Sequence, residues 1–305
     1  MVTTPRVQVL LSTYNGQKYL HEQMDSVLNQ DYPNLELLVR DDGSTDGTLQ
    51  LLEGYENLPN VKVLRGANLG VVKSFLALLE SSSPGAEYIA LCDQDDVWLP
   101  GKIAAAVAKL EALDNDKPLL YCSRVEFVDR HLHSLGFSSA YKQPSFRNAI
   151  VENIATGCTI VLNRATRGLV LSRLPRWALM HDWWLYLVVT AFGEVVYDSR
   201  ALVKYRQHAA NAVGGTPHFI PDFLRRLKRF LAPQNSNYRI SGQAAEFLRC
   251  FGPRLEEQQK ELLVRFLDSK KGAISRLRYA LRPEVYRHSV FYHTLLRLLI
   301  VLGRY

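Results

Sequence analysis

The stretch Tyr88-Ile89-Ala90-Leu91-Cys92-Asp93-Gln94-Asp95-Asp96-Val97-Trp98 constrains the fold more than any other. A run of apolar residues stops abruptly at three carboxylates within four positions. The apolar half reads as a strand buried on both faces, which is the signature of a parallel sheet covered by helices. In open α/β sheets ligands bind beyond the carboxyl ends of the strands, so Asp93, Asp95 and Asp96 are expected at the lip of a crevice. Three like charges that close raise one another's pKa unless they share a cation. Hard oxygen donors point to Mg²⁺ or Mn²⁺ rather than zinc. Taken alone, the same residues also read as a polar turn before the helix that Pro100 opens.

The flanking sequence repeats the strand–helix alternation. Arg6–Thr13 is a first buried strand, followed by a Tyr14-Asn15-Gly16 turn and a helix carrying Leu20, Met24, Val27 and Leu28 at helical spacing. Leu35–Arg40 is a second strand and ends in Asp41-Asp42-Gly43-Ser44-Thr45-Asp46-Gly47-Thr48, a loop of turn formers and helix caps. Val61–Arg65 is a third, and Asn68-Leu69-Gly70 turns into a helix over Val71–Ser81. A helix from Lys102 to about Leu113 follows the acidic triplet. This order predicts a doubly wound, mostly parallel sheet with three polar loops at one edge: Ser12–Gly16, Asp41–Thr48 and Asp93–Asp96. Neither GxGxxG nor GxxxxGK[ST] is present, so a dinucleotide fingerprint and a P-loop are excluded as explanations of that edge. A nucleotide still fits it, with Tyr14 to stack on a base and a carboxylate such as Asp42 to accept from a pyrimidine N–H.

Strand patterns return over Leu119–Asp129 and Gly157–Asn163, with Asn163–Leu174 helical between them and Pro175. His181-Asp182-Trp183-Trp184 then opens an apolar run to Phe192. Asp182 reads either as a helix N-cap or as a carboxylate held beside two indoles, where an apolar setting makes it a better base. Val195–Tyr197 and Ala201–Tyr205 are short strands leading into a polar, glycine-ended loop that contains His208.

Charge divides the chain. From Ile220 onward it holds 17 Lys+Arg against 7 Asp+Glu, whereas residues 1–219 hold 20 against 23. We therefore expect a catalytic region over 1–218 and a basic helical region over 219–305. The segments Phe223–Leu231 and Val290–Leu302 within it either pack on the catalytic region or a second subunit, or lie on an anionic membrane surface. A nucleic-acid partner is not expected, because the tail carries no RNA or DNA motif. The four cysteines form no CxxC pair, so neither a zinc ribbon nor a disulfide framework is indicated. The start lacks a signal-peptide pattern and no stretch of about 18 apolar residues occurs, which makes a cytoplasmic location, at most peripheral to the inner membrane face, the expectation.

Together these stretches resemble the family 2 inverting glycosyltransferases of GT-A fold. Ser12-Thr13-Tyr14-Asn15-Gly16, Asp41–Asp46, Asn68-Leu69-Gly70, Asp93-Gln94-Asp95-Asp96 and His181-Asp182-Trp183-Trp184 carry the resemblance, over roughly residues 5–215. Asp-Gln-Asp-Asp-Val-Trp with Tyr205-Arg206-Gln207-His208 is similar to a subset of bacterial rhamnosyltransferases using dTDP-L-rhamnose. The resemblance implies that Thr13, Tyr14, Asn15, Asp42 and its neighbour Asp41, Lys73 and Asp93 contact the nucleotide. It implies Asp95 as direct metal ligand with His208 as a further one, and Asp182 as catalytic base. Trp98, Trp183 and Trp184 are expected against sugar, acceptor or donor. The acceptor would be a lipid-linked or nascent surface glycan. The Gln-x-x-Arg-Trp motif of processive members is absent, which argues for addition of one or a few sugars. Two other readings stand beside this one: a non-catalytic nucleotide-sugar sensor or scaffold, and a metal-dependent phosphohydrolase.

Overall fold

A computed structural model describes residues 4–141, 143–208 and 240–305. Its centre is a nine-stranded sheet. Strand β1 (Val7–Thr13) lies between β2 (Leu35–Asp41) and β4 (Tyr88–Cys92), with β3 (Val61–Arg65) outside β2, all parallel. Alternate residues of these strands point to opposite faces. Val7, Val9 and Leu11 join Leu37, Val39, Ala90 and Cys92 in one core layer, under α1 (Leu20–Leu28) and α4 (Lys102–Glu111). Leu10, Leu38, Ile89 and Leu91 join the other, under α3 (Val71–Ser81) and α7 (His181–Phe192). Burial on both faces is why these strands read as nearly unbroken apolar runs.

Beyond β4 the sheet becomes mixed. The short β8 (Val161–Asn163) runs antiparallel to both β4 and β6 (Leu119–Val128), which pairs in turn parallel to β9 (Glu194–Arg206). The two-residue β5 (Val97–Trp98) closes the far edge on β9, and β7 (Ser134–Phe137) hangs from β6. Strands of two or three residues carry too little pattern to orient them from sequence. The two short strands expected over 195–205 are one strand of 13 residues with a register irregularity against β6.

Among the described residues the remaining α-helices are the short α2 (Thr48–Glu53) and α5 (Phe146–Ala149), α6 (Arg164–Ser172), and a C-terminal set. That set is α8 (Ile240–Phe251), α9 (Glu257–Asp268), α10 (Ala273–Leu281) and α11 (Val290–Val301). The set is not peripheral to the core. Phe247 and Phe251 of α8 lie against Trp184 of α7, with ring centroids 5.8 and 6.3 Å away. The apolar layer containing Leu10 and Trp184 runs on through Leu263, Phe266, Leu299 and Ile300. The charge boundary near residue 218 and the segment Phe223–Leu231 lie outside the described residues.

Candidate active site

Parallel register brings the polar loops together. Thr13 pairs with Asp41, and Leu11 with Cys92, so β1, β2 and β4 end at nearly one level. Gln94 locks the first loop to the acidic one: its Oε1 accepts from Thr13 Oγ1 and from the Tyr14 N–H, both at 2.7 Å. Gly16 is required at this junction, because a Cβ there would meet Gln94 Oε1 and Thr13 Oγ1 at 2.6 Å. Asn15, at φ 51°, takes the Ser44 side chain on its N–H and bonds the Thr45 N–H through Oδ1. Thr13 is thus buried and structural, while the Tyr14 ring stays 46% exposed at the mouth.

Asp41 and Asp42 of the second loop are buried and hold loops in shape. Asp42 pairs with Arg40 and accepts from the N–H groups of Leu69 and Gly70, each at 2.9 Å. This fastens the Asn68–Gly70 turn to β2 and aims α3 at the crevice, with Lys73 exposed on its first turn. Asp41 accepts from Gly43 and Ser44 through Oδ2, while its Oδ1 is buried with no hydrogen-bond partner.

The acidic loop is tied to the end of β9. Arg206, almost fully buried, donates its N–H to Asp96 Oδ1 (3.1 Å) and its Nε to the Asp95 carbonyl (2.9 Å), and pairs with Glu22. His208 Nε2 lies 2.8 Å from Asp95 Oδ2, joining residues 113 apart in sequence. Asp93 is pushed up to about 8, first by burial and then by the charges of Asp95 and Asp182. Burial drives Asp96 well above the usual carboxylate range as well, and its Oδ2 has no hydrogen-bond partner from a nitrogen or oxygen donor. Beneath it Lys102 is fully buried, its Nζ 3.3 Å from the centre of the Trp98 ring, and burial lowers it to about 7.

Asp182 stands in the first turn of α7, whose N-cap is Met180, so the capping explanation of this carboxylate does not hold. Its Oδ2 accepts from the Gly157 N–H at 3.2 Å, its Oδ1 from the Trp183 N–H at 2.6 Å, and Asn153 adds a side-chain bond. Burial outweighs these bonds and raises Asp182 to about 6. A Cβ at Gly157 would lie 3.1 Å from His181 Nε2 and 3.6 Å from Asp182 Oδ2, so glycine here leaves the approach uncrowded. His181 is itself buried, stacked on Phe75 at 3.9 Å, and pushed down to about 3 by burial. It is therefore neutral beside Asp182.

The three indoles are a correction. Trp98, Trp183 and Trp184 are buried in the core, and Trp183 Nε1 donates to the Ala149 carbonyl at 2.7 Å. None presents a face to sugar, because aromatic area this large is worth more under α4 and α8 than at a wet crevice.

These features coincide with a family model. Residues 8–167, more than half of the chain, match the model for glycosyl transferase family 2. The chain belongs to that family. An uncharacterized glycosyltransferase of Rickettsia prowazekii is 24% identical over 82% of each chain. A dTDP-rhamnosyl transferase, RfbG of Shigella flexneri, is 27% identical over 70% of this chain and 77% of its own. Among solved structures, S. aureus TarS 1–349 in complex with UDP-GlcNAc superposes with a TM-score of 0.59 at 19% identity, covering 98% of this chain and 82% of TarS. That likeness shows the GT-A fold.

In this glycosyltransferase Gln94 bonds the acidic loop to the first loop, Asn15 bonds the first loop to the second, and Asp182 lies near enough to Asp93 for its charge to act on it. Sequence reasoning missed Asn153, Gly157 and Arg206, which orient the carboxylates. Arg206, inside the Tyr205-Arg206-Gln207-His208 stretch, was the one visible signal. The acidic residues also fit a divalent cation. Asp93 and Asp96 offer oxygens within 4.8 Å of each other and of the Cys158 sulfur, and one oxygen of Asp96 is orphaned. Burial raises the Cys158 thiol well above its ordinary value, so the carboxylates are the fitting donors and the ion they suit is hard.

Proposed function

We propose that this glycosyltransferase moves one sugar, L-rhamnose from dTDP-L-rhamnose, onto a hydroxyl of a lipid-linked or nascent surface glycan with inversion at the anomeric carbon. The single observation supporting the reaction type is that Asp182, raised to about 6, lies close enough to the acidic loop for its charge to act on Asp93. Its pKa sits close to the working range of a general base. Asp182 takes the proton of the acceptor hydroxyl, while Gly157, Trp183 and Asn153 keep the carboxylate aimed at it. A single displacement with one base needs no carboxylate nucleophile, and configuration inverts. Tyr14, with Asn15, Asp41 and Asp42, walls the nucleotide end, and Lys73 adds positive charge near the phosphates. Asp95 with His208, beside the oxygens of Asp93 and Asp96, would hold Mg²⁺ or Mn²⁺, and Asp93 would also face the nucleotide. Such an ion supplies Lewis-acid neutralisation of the leaving diphosphate.

The rhamnose assignment rests on the Shigella relative and on the Asp-Gln-Asp-Asp-Val-Trp form. A UDP-sugar donor is the second reading, because TarS binds UDP-GlcNAc. Turnover of a dTDP- and UDP-sugar panel with Mg²⁺ or Mn²⁺ separates them. We expect release of dTDP from dTDP-rhamnose in the presence of a glycan acceptor, and a drop of about 10²–10⁴-fold in Asp182→Asn. Equal, near-zero turnover in both proteins across the panel favours a sensor, and acceptor-independent release favours a phosphohydrolase. The division into a catalytic region, 1–218, and a basic helical region, 219–305, is part of the same proposal, with one apolar layer shared between them.

A further inference from the structure

The two last helices expose more apolar surface than folding of this chain uses. On α10, Ile274, Leu277 and Leu281 are 78, 52 and 63% exposed, and they recur at helical spacing on one face. On α11, Val290, Phe291 and Leu298 are 82, 42 and 54% exposed, while Leu296, Leu299 and Ile300 face the core. Arg297 Nε donates to the Ala280 carbonyl at 2.7 Å and Arg276 Nε to the Val301 carbonyl at 3.1 Å, which fixes the helices side by side and antiparallel. The charge around them has one sign. Ser269–Tyr305 contains eight Lys and Arg against a single acid, Glu284, and Arg265 of α9 takes that acid at 2.7 Å. Arg278 and Arg282 of α10 and Arg304 after α11 are exposed beside the apolar rows.

We propose that this outer face of α10 and α11 docks on an anionic lipid bilayer. Apolar rows rimmed by arginine suit a helix pair lying in the interface plane, with the side chains in the acyl boundary and the guanidinium groups among phosphates. A second copy of the chain is a poor occupant, because it would bring a face of the same sign against this one. The basic segment 223–231 is poor for the same reason. Docking is superficial, since among the described residues no helix is long and apolar enough to cross a membrane. The proposal stands independently of the donor and acceptor assigned above.

Co-sedimentation of the full chain with vesicles tests it. With phosphatidylcholine containing about 30% phosphatidylglycerol, binding at low salt is expected at least about ten-fold above that to phosphatidylcholine alone, and to weaken as salt is added. Leu277→Ser with Leu281→Ser, and separately Arg278→Glu with Arg282→Glu, are each expected to lower it about ten-fold with unchanged circular dichroism. Phe291→Trp gives a second readout: its added emission should be quenched by brominated acyl chains. Equal binding to both vesicle types, undiminished binding by both double variants, or an added indole that bromine does not quench overturns the proposal. So does a lipid-free dimer that the leucine substitutions dissolve, which would make this face a contact between copies.

Discussion

At the scale of single residues, the site is a set of carboxylates distinguished by their neighbours. Asp42 is consumed by Arg40 and two backbone N–H groups, while Asp182 keeps a raised pKa because burial exceeds what its three donors restore. A base acts when deprotonated, so kcat/KM should rise with pH through about 6 and level off above it. Asn153→Ala removes a bond that lowers this pKa, so the midpoint should move to higher pH, whereas a purely structural defect would lower the plateau without moving it. A pH–rate profile of both proteins reads this directly. Asp182 was legible as a candidate from His-Asp-Trp-Trp alone. Its donors were not, because Asn153 carries no pattern of its own, Gly157 opens a stretch that reads as strand, and they lie 29 and 25 positions away. The tryptophans misled because an indole has the same sequence signature in a core as at a sugar site.

Among elements, joints matter more than helix or strand interiors. Gly193 ends α7 and begins β9, and a Cβ there would lie 1.8 Å from the Pro118 carbonyl oxygen, which also accepts from the Glu194 N–H at 2.9 Å. Gly193→Ala should therefore cost about 3 kcal/mol or more, measured by urea unfolding, because the added Cβ meets backbone that cannot rotate aside. A second joint ties the C-terminal helices to the loop that holds the base. Glu152 accepts from the His288 N–H and faces His288 Nδ1, both at 2.9 Å, and Asn148 donates to Glu152 at 2.6 Å. The bond to Glu152 raises His288 above 6.5; although burial opposes it, His288 and Asn148 hold Glu152 below 4.5. A raised histidine stabilises fully below its unfolded pKa and loses that as pH climbs through its folded one; a depressed glutamate stabilises above its unfolded pKa and loses that on acidification. Both contributions are complete between 4.5 and 6.5. His288→Ala should thus destabilise more at about pH 5.5 than at about pH 8.5 in paired thermal melts.

On the scale of the whole molecule, the C-terminal helices share an apolar layer with the central sheet. Phe247 and Phe251 cover Trp184, and Phe266 continues the same layer. A chain cut after His208 should leave that surface bare and aggregate on expression, which gel filtration would detect. A soluble, cooperatively melting truncation would show that the helices are dispensable for folding. Sequence by itself determined the parallel half of the sheet, the three loops at its edge and the acidic triplet, because burial on both faces and turn chemistry are written locally in each segment. Tertiary structure alone decided which carboxylate stays basic, that His208 meets Asp95 and that Arg206 clamps the acidic loop. Each of these depends on distances between residues 25 to 184 positions apart, and burial and charge act through space, not along the chain.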